Sequence, residues 1–239
     1  MSRATPAEQQ QWARKNRRMF AGIAHRYDLA NTIISLGRDD AWRKKAAAFA
    51  SPEPSEAGLD IATGTGELGF HLLERCQRVV GIDLTPSMIT EASAKVRERQ
   101  NGDRFHLAIA DGLNLPFPDA TFDCVTNAFA LRNFADLRSA LAEMRRVTKP
   151  GGRVVSLELT RPRSWPLALG HRLYIDLVVP FLGTLASGGH LAAYRYLPSS
   201  VHRMLGAEEM AATMREAGFR RVWYRLYNLR SIAIHIAEA

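Results

Sequence analysis

Cysteine is scarce. Only Cys76 and Cys124 occur in 239 residues. Neither has neighbours at metal-ligand spacing, so a disulfide framework and a zinc ribbon are excluded, and the pair reads as buried free thiols, one expected in a helix and one in a strand. The seven histidines form no His-x-x-x-His or Cys/His cluster, and no metal is expected. No run approaches the ~18 apolar residues that would span a bilayer. Residues 1–11 are polar, without the apolar centre of a signal peptide, and a cytoplasmic location is expected. Internal repeats are absent too, which leaves out solenoids and propellers.

What is present is an ordinary globular composition, 46% hydrophobic, with a net charge of +8. The charge is uneven: residues 1–50 hold ten Lys/Arg against four Asp/Glu. Such a basic arm suits RNA, anionic lipid or plain solvent. No RNA-binding module and no interleaving of aromatic with basic residues accompanies it, so nucleic acid is not expected as a partner.

Three regions follow along the chain. Residues 1–50 read as a helical cap, with Ile33, Ile34, Leu36, Trp42, Ala46 and Phe49 near helical spacing and Gly37 interrupting them. Ser51 to Ser55 holds two prolines and reads as a linker. From 57 to 160, strands at 58–62, 78–82, 104–109, 122–127 and 153–159 alternate with helices at 67–75, 86–100 and 136–148. That order predicts parallel strands with right-handed crossovers. Lys149-Pro150-Gly151-Gly152 is expected to stop the last of these helices and turn the chain. Residues 161–205 are rich in aliphatic and aromatic side chains and predict helices over the ligand-binding end of the sheet. Residues 206–239 predict a helix at 207–217 and two closing strands at 221–227 and 231–237.

The densest chemical signal is Asp60-Ile61-Ala62-Thr63-Gly64-Thr65-Gly66, an apolar strand running into a glycine-rich turn and a helix. Glycine lets the backbone turn sharply and a ligand come close, and the helix start offers free N–H groups. Asp83 ends the next strand, where a carboxylate can accept both hydroxyls of an adenosine ribose. The spacing of Gly64, Gly66 and Gly69 fits NAD as well. S-adenosylmethionine (SAM) is favoured by Asp60, which can help hold a cationic methionine end, by Asp111-Gly112 after the third strand, where an adenine would lie, and by the 122–125 and 146–152 segments at methyltransferase-like spacing.

The chain resembles the ubiquinone/menaquinone biosynthesis C-methyltransferase family. The resemblance runs from about residue 19 to 236. It is carried by Met19-Phe20-Ala21-Gly22-Ile23-Ala24-His25-Arg26-Tyr27-Asp28 with Asn31, by Ser35-Leu36-Gly37 before Trp42-Arg43, and by Leu131-Arg132-Asn133. Leu157-Glu158 with Pro162, Tyr194 to Ser200, and Glu216-Ala217-Gly218-Phe219 complete it. It implies a Rossmann-like α/β fold with a mostly parallel seven-stranded sheet, helices on both faces, an N-terminal helical cap and a helical insertion near 161–205, all as one SAM-dependent domain over 1–239. It implies C-methylation of a lipophilic polyprenyl hydroquinone or naphthohydroquinone. Thr65, Asp83, Asp111, Gly112 and Ala128 match cofactor-contacting positions, Tyr27 matches a tyrosine that closes over the cofactor, and Arg132 and Asn133 match a motif near the methyl acceptor.

Arg132 is then expected to stabilise a phenolate, since a guanidinium stays charged and donates a fork of hydrogen bonds; its structural alternative is an ion pair with Asp136. Tyr194 and Tyr196 read equally as acceptor-site hydroxyls or packing aromatics, and His25 as incidental. Two segments depart from the family pattern, Met204-Leu205-Gly206 where Phe-Pro is usual and Asn228-Leu229-Arg230 where a glycine-rich turn is usual. Both fall where the acceptor pocket is expected, so another phenolic or polyketide-like acceptor stays open. The charge alone raises an RNA methyltransferase, against which stands the missing RNA-binding module. A non-catalytic SAM-binding subunit is a further rival, while a homodimer is compatible with each. A polyprenyl substrate lives in membrane, so the basic arm (Arg14, Lys15, Arg17, Arg18) predicts peripheral contact with anionic lipid.

Overall fold

A computed structural model describes residues 5–51, 53–186 and 191–239. The expected readings at residues 1–4 and Pro52 therefore lie outside the described residues, as do the side chains of Tyr194 and Arg195.

Three helices open the chain: α1 (Pro6–Ile23), α2 (Tyr27–Ser35) and α3 (Asp39–Ala50). Thr5 and Glu8 form a capping box that fixes the start of α1. The alternating part follows as β1 (Ser55–Ile61), α4 (Glu67–Leu73), β2 (Cys76–Asp83), α5 (Pro86–Glu98), β3 (Phe105–Ile109), β4 (Phe122–Ala128), α6 (Leu137–Val147) and β5 (Thr148–Leu159). Then come α7 (Trp165–Leu173), a π-helical turn (Tyr174–Val178), α8 (Val179–Ala186) and α9 (Leu191–Arg203), and finally α10 (Ala207–Glu216), β6 (Arg221–Tyr227) and β7 (Ile232–Glu238).

The seven strands form one sheet in the order β3-β2-β1-β4-β5-β7-β6. The first five are parallel, and β7 runs antiparallel to both β5 and β6. Strand order reverses between β1 and β4, so their carboxyl ends part and leave a crevice there, the place where open α/β sheets take ligands.

A core lies on each face. On one, Trp42 and Ala46 of α3 and Leu72 of α4 pack on Val79, Leu157 and Ile234. On the other, Leu141 and Met144 of α6 with Met210 and Met214 of α10 cover Leu59, Ile61 and Val125. Leu141 and Met144, three residues apart on one face of α6, are both fully buried.

Three local readings change. Cys76 opens β2 instead of lying in a helix, and its thiol sits 3.7 Å from that of Cys124, both buried. The linker is shorter than expected, because Ser55 already pairs with Cys76. Lys149 to Gly152 is an irregularity inside β5 rather than a plain turn: Thr148 pairs with Phe122, and the register then jumps to Arg153 opposite Cys124.

Candidate functional site

The crevice splits into two cavities separated by the segment that leaves β4. Phe129 stands at the divide and lines both. Its φ is +55°, a conformation a bulky side chain adopts at a cost of about 1–3 kcal/mol and that recurs where a site needs it. Its N–H donates to Leu157 O at 2.7 Å, which holds the bend against β5. From there the chain enters a short 3-10 turn, Leu131–Asn133.

The first cavity is lined by Tyr27, Gly64, Asp83, Asp111, Gly112, Ala128 and Asn133, so seven of the eleven expected site residues meet there. Gly64 and Gly66, at φ +57° and +90°, make the turn from β1 into α4. The Tyr27 ring lies over it, 3.8 Å from where a Cβ on Gly64 would sit. At Gly112 a Cβ would fall 2.7 Å from the Phe134 ring, so only glycine lets Phe134 close that wall. Asp83 takes the Gly64 N–H on one oxygen (3.0 Å) and the Thr85 N–H on the other (2.8 Å); its burial pushes its pKa up. Asp111 folds back on the Leu113 N–H at 2.9 Å.

Asp60, Thr65 and Gly66 do not line this cavity. Asp60, fully buried, accepts hydrogen bonds from Thr63 Oγ1 (2.6 Å) and Thr126 Oγ1 (2.8 Å), and burial pushes its pKa up to about 6. Thr65 donates to Asp28 at 2.6 Å, and Lys95 binds both Asp28 and Glu67 at 2.5 Å. These contacts tie the glycine turn to α2 and α5 from behind.

The basic arm has a second face. Trp12, Ala13, Asn16, Arg17 and Phe20 of α1 line the first cavity, and Trp12 Nε1 (2.9 Å) and Asn16 Nδ2 (2.8 Å) both donate to the backbone oxygen of Asn133. The first helix is thus a cover over the cleft, a role its charge did not signal. His25 is exposed, 3.5 Å from Glu91.

The second cavity, of about 350 Å³, lies between α2, α3, the β6–β7 turn and α7. It is mostly apolar, with Ile34, Trp42, Leu167, Tyr174 and Ile175 in its wall, and it takes in Asn31, Arg132 and His171. Arg132 does not pair with Asp136, which instead caps α6 through the Ser139 N–H. Its Nη1 donates to Glu158 Oε1 at 2.5 Å, and both side chains are almost wholly buried. Glu158 was not assigned a role from sequence. Its signal was a lone acid closing the apolar run Val154-Val155-Ser156-Leu157.

Three buried polar atoms without a hydrogen-bond partner among the described residues belong to residues lining this cavity, Asn31 Nδ2, Arg132 Nε and His171 Nε2, and a fourth, Glu158 Oε2, belongs to the acid paired with Arg132. Such atoms are rare in folded proteins, and three on one cavity wall leave hydrogen-bonding capacity facing the space between them. Burial keeps the His171 pKa below its ordinary value, with a further lowering from His202. Tyr196 donates its hydroxyl to Asn133 Oδ1 at 3.2 Å, so it belongs to the divide between the cavities. No group of three or more His, Cys, Asp or Glu that could hold a metal occurs among the described residues.

The model of the ubiE/COQ5 methyltransferase family matches residues 8–239. The chain belongs to this family. It is 46% identical over 222 residues to a demethylmenaquinone methyltransferase of Thermus thermophilus, covering 92% of this chain and 99% of that one. It is 48% identical over 204 residues to a demethylmenaquinone methyltransferase of Deinococcus radiodurans, covering 84% and 83%. Among solved structures, a SAM-dependent methyltransferase of Thermotoga maritima superposes with a TM-score of 0.66 at 18% identity, covering 92% of this chain and 98% of that one. That likeness shows the fold, and the fold is the Rossmann-like α/β arrangement expected from the strand and helix order.

Proposed function

We propose that this methyltransferase, working as one unit over its whole length, transfers a methyl group from SAM to a ring carbon of a polyprenyl hydroquinone of the demethylmenaquinone kind. The carrying observation is the pair of cavities with a common wall at Phe129, one floored by a glycine turn and carboxylates, the other apolar with orphaned polar atoms.

The first cavity suits the cofactor. The Phe134 ring, packed on Gly112, offers a wall against which an adenine can lie, Asp83 at the end of β2 suits a ribose diol, and the carboxylate of Asp60 stands behind the turn, able to offset a cationic methionine end. When bound, SAM supplies an electrophilic methyl group. The remaining work falls to this chain. A phenol's ordinary pKa is about 10, like that of tyrosine, and the acceptor carbon becomes nucleophilic once that hydroxyl is deprotonated. Arg132, fixed by Glu158, keeps N–H donors, its Nε among them, for the resulting oxygen anion. His171, held neutral by burial, is a group in the acceptor cavity able to take a proton. Asn133, anchored on its backbone oxygen by α1 and on its side chain by Tyr196, orients the acceptor at the divide, and Tyr27 closes the cofactor side. Alignment of the two reactants across one wall can supply ~7–11 kcal/mol of barrier reduction. The proton of the methylated ring carbon leaves as the ring regains aromaticity, so one proton is released per turnover.

No helix among the described residues is long and apolar enough to cross a membrane. The substrate's tail supports peripheral contact at the inner face of the membrane, with exposed Arg14, Lys15 and Arg18 of α1 as electrostatic steering groups.

Titration calorimetry with SAM and with its demethylated product, beside a mass-spectrometric assay of methyl transfer to a prenylated naphthohydroquinone, tests the reading. Micromolar binding and a product heavier by one methyl are expected. Binding without transfer to any quinol leaves a SAM-binding subunit, and no binding removes the reading altogether.

A further inference from the structure

The helical rod from α7 through α8 is apolar on two opposite sides. One side, with Leu167, Tyr174 and Ile175, walls the acceptor cavity. The other carries Trp165, Leu169, Leu173, Leu177, Phe181 and Leu185, spaced four residues apart over the whole rod, each between 46% and 76% exposed. A monomer rarely shows so long an apolar strip on its surface without a use for it. Two more leucines stand at the mouth of the cavity, Leu36 at 69% and Leu229 at 74% exposure. Both sit in left-handed backbone, at φ +56° and +53°, so the chain accepts local strain to present them.

The charge around the strip is mostly basic, although Glu208 and Glu209 share a surface groove with Arg161, Arg163, Arg172 and Arg230. From residue 159 to 207 the sequence has one acid, Asp176, against five arginines, and Asp176 is taken by Arg172 and His202. Arg161 and Arg163 flank the start of the strip, Arg38 and Arg230 follow the two mouth leucines, and all are exposed. Arg161 and Arg230 have no ion pair among the described residues.

We infer that this strip, with its arginine rim and the mouth of the second cavity, is the seat of the protein on an anionic lipid bilayer, with α7 and α8 lying in the headgroup boundary. Amphipathic helices bind there through buried apolar area plus attraction to anionic lipid. A second copy of the chain is the poorer occupant, since a two-fold contact sets the same arginine rim against itself. The consequence is topological: the cavity opens where Leu36 and Leu229 meet the lipid, so a prenyl tail stays in the bilayer while the ring enters. The surface serves the quinol reading above, and the two are tested separately.

The test uses the full chain with vesicles of phosphatidylglycerol and phosphatidylcholine, and with phosphatidylcholine alone. Binding is expected only to the anionic vesicles, with indole fluorescence quenched by brominated lipid and that quenching largely lost in Trp165→Phe. Leu177→Ser with Phe181→Ser should lower the vesicle partition coefficient at least tenfold, with the far-UV spectrum unchanged. Arg161→Gln with Arg163→Gln, outside the helices, should weaken binding and flatten its salt dependence. The leucine–phenylalanine variant should still methylate a tail-less naphthohydroquinone in buffer and fail on a prenylated one in vesicles. Wild-type partition by both double variants overturns the inference. So does a concentration-dependent dimer that Leu177→Ser with Phe181→Ser abolishes, because the strip then belongs to a second copy. Intact vesicle binding with no methyl transfer to either quinol refutes the quinol reading and leaves the bilayer seat standing.

Discussion

Replacing Arg132 by alanine strands a carboxylate. Glu158 is 1% exposed and its partner 8%, so the substitution leaves a buried carboxylate without its counter-ion. Breaking a buried pair from one side costs about 3–5 kcal/mol, a large share of the ~5–15 kcal/mol that holds a folded chain together. At about 2–4 °C per kcal/mol for a protein of this size, the melting point should fall by roughly 6–20 °C. Loss of activity in that variant would therefore say nothing about chemistry. The informative variant is Arg132→Met with Glu158→Gln. It removes both charges and keeps an oxygen to accept the Leu159 N–H, which Glu158 Oε1 takes at 2.9 Å. Chemical denaturation should place it within about 2 kcal/mol of the natural chain, since neutral replacement of a buried pair is often tolerated. Single-turnover methyl transfer should nonetheless fall by two orders of magnitude or more, with SAM affinity within a factor of three. A folded double variant that methylates at the natural rate would refute the phenolate-binding role and leave the pair as scaffold.

Further outcomes follow from other residues. Asp60 titrates near 6 in the fold against about 3.9 for a free aspartate, so the folded state holds the proton more tightly. Its ionisation works against folding, and this part of the stability falls as pH rises from about 4 through 6 and is flat above. Asp60→Asn should lack that slope, its stability relative to the natural chain rising by up to about 3 kcal/mol from pH 4 to 8 in urea unfolding; parallel profiles refute the assignment. The natural chain should also lose SAM affinity below about pH 6 where Asp60→Asn does not, as read by calorimetry at pH 5.5 and 7.5. Gly112→Ala places a methyl 2.7 Å from the Phe134 ring, which should cost about 1–3 kcal/mol of stability and weaken SAM binding at least tenfold. Leu229→Asn removes a leucine from left-handed backbone and should raise stability by about 1 kcal/mol in thermal melts, with an unchanged melt counting against strain at that turn.

What could be read from the chain alone was local. The apolar runs ending at Ile61 and Ile82 gave their strands away because both are central and buried on two faces. The glycine turn was legible because its positive φ values tolerate few other residues. The partners of the site were not legible, because they lie across strands. Glu158 meets Arg132 only because β5 lies beside β4, a pairing fixed by the sheet as a whole. The 161–186 segment showed its apolar content, but not that half of it faces outward, since a stripe facing a cavity and a stripe facing lipid have the same composition. Asn228-Leu229-Arg230 was visible as a departure from a glycine-rich turn. The backbone there keeps the left-handed shape that glycine favours, at φ +48°, +53° and +67°, with Asn228 and Ser231 bonded to each other to hold it.

Asn133 is a keystone between two arches. Its backbone oxygen carries the thrust of α1 through Trp12 and Asn16, and its side chain that of α9 through Tyr196. Neither arch can lift without disturbing the stone on which the other rests, so an occupant that stills one side leaves less motion to be quenched on the other. Two ligands that never touch outside the reaction can in this way favour one another's arrival.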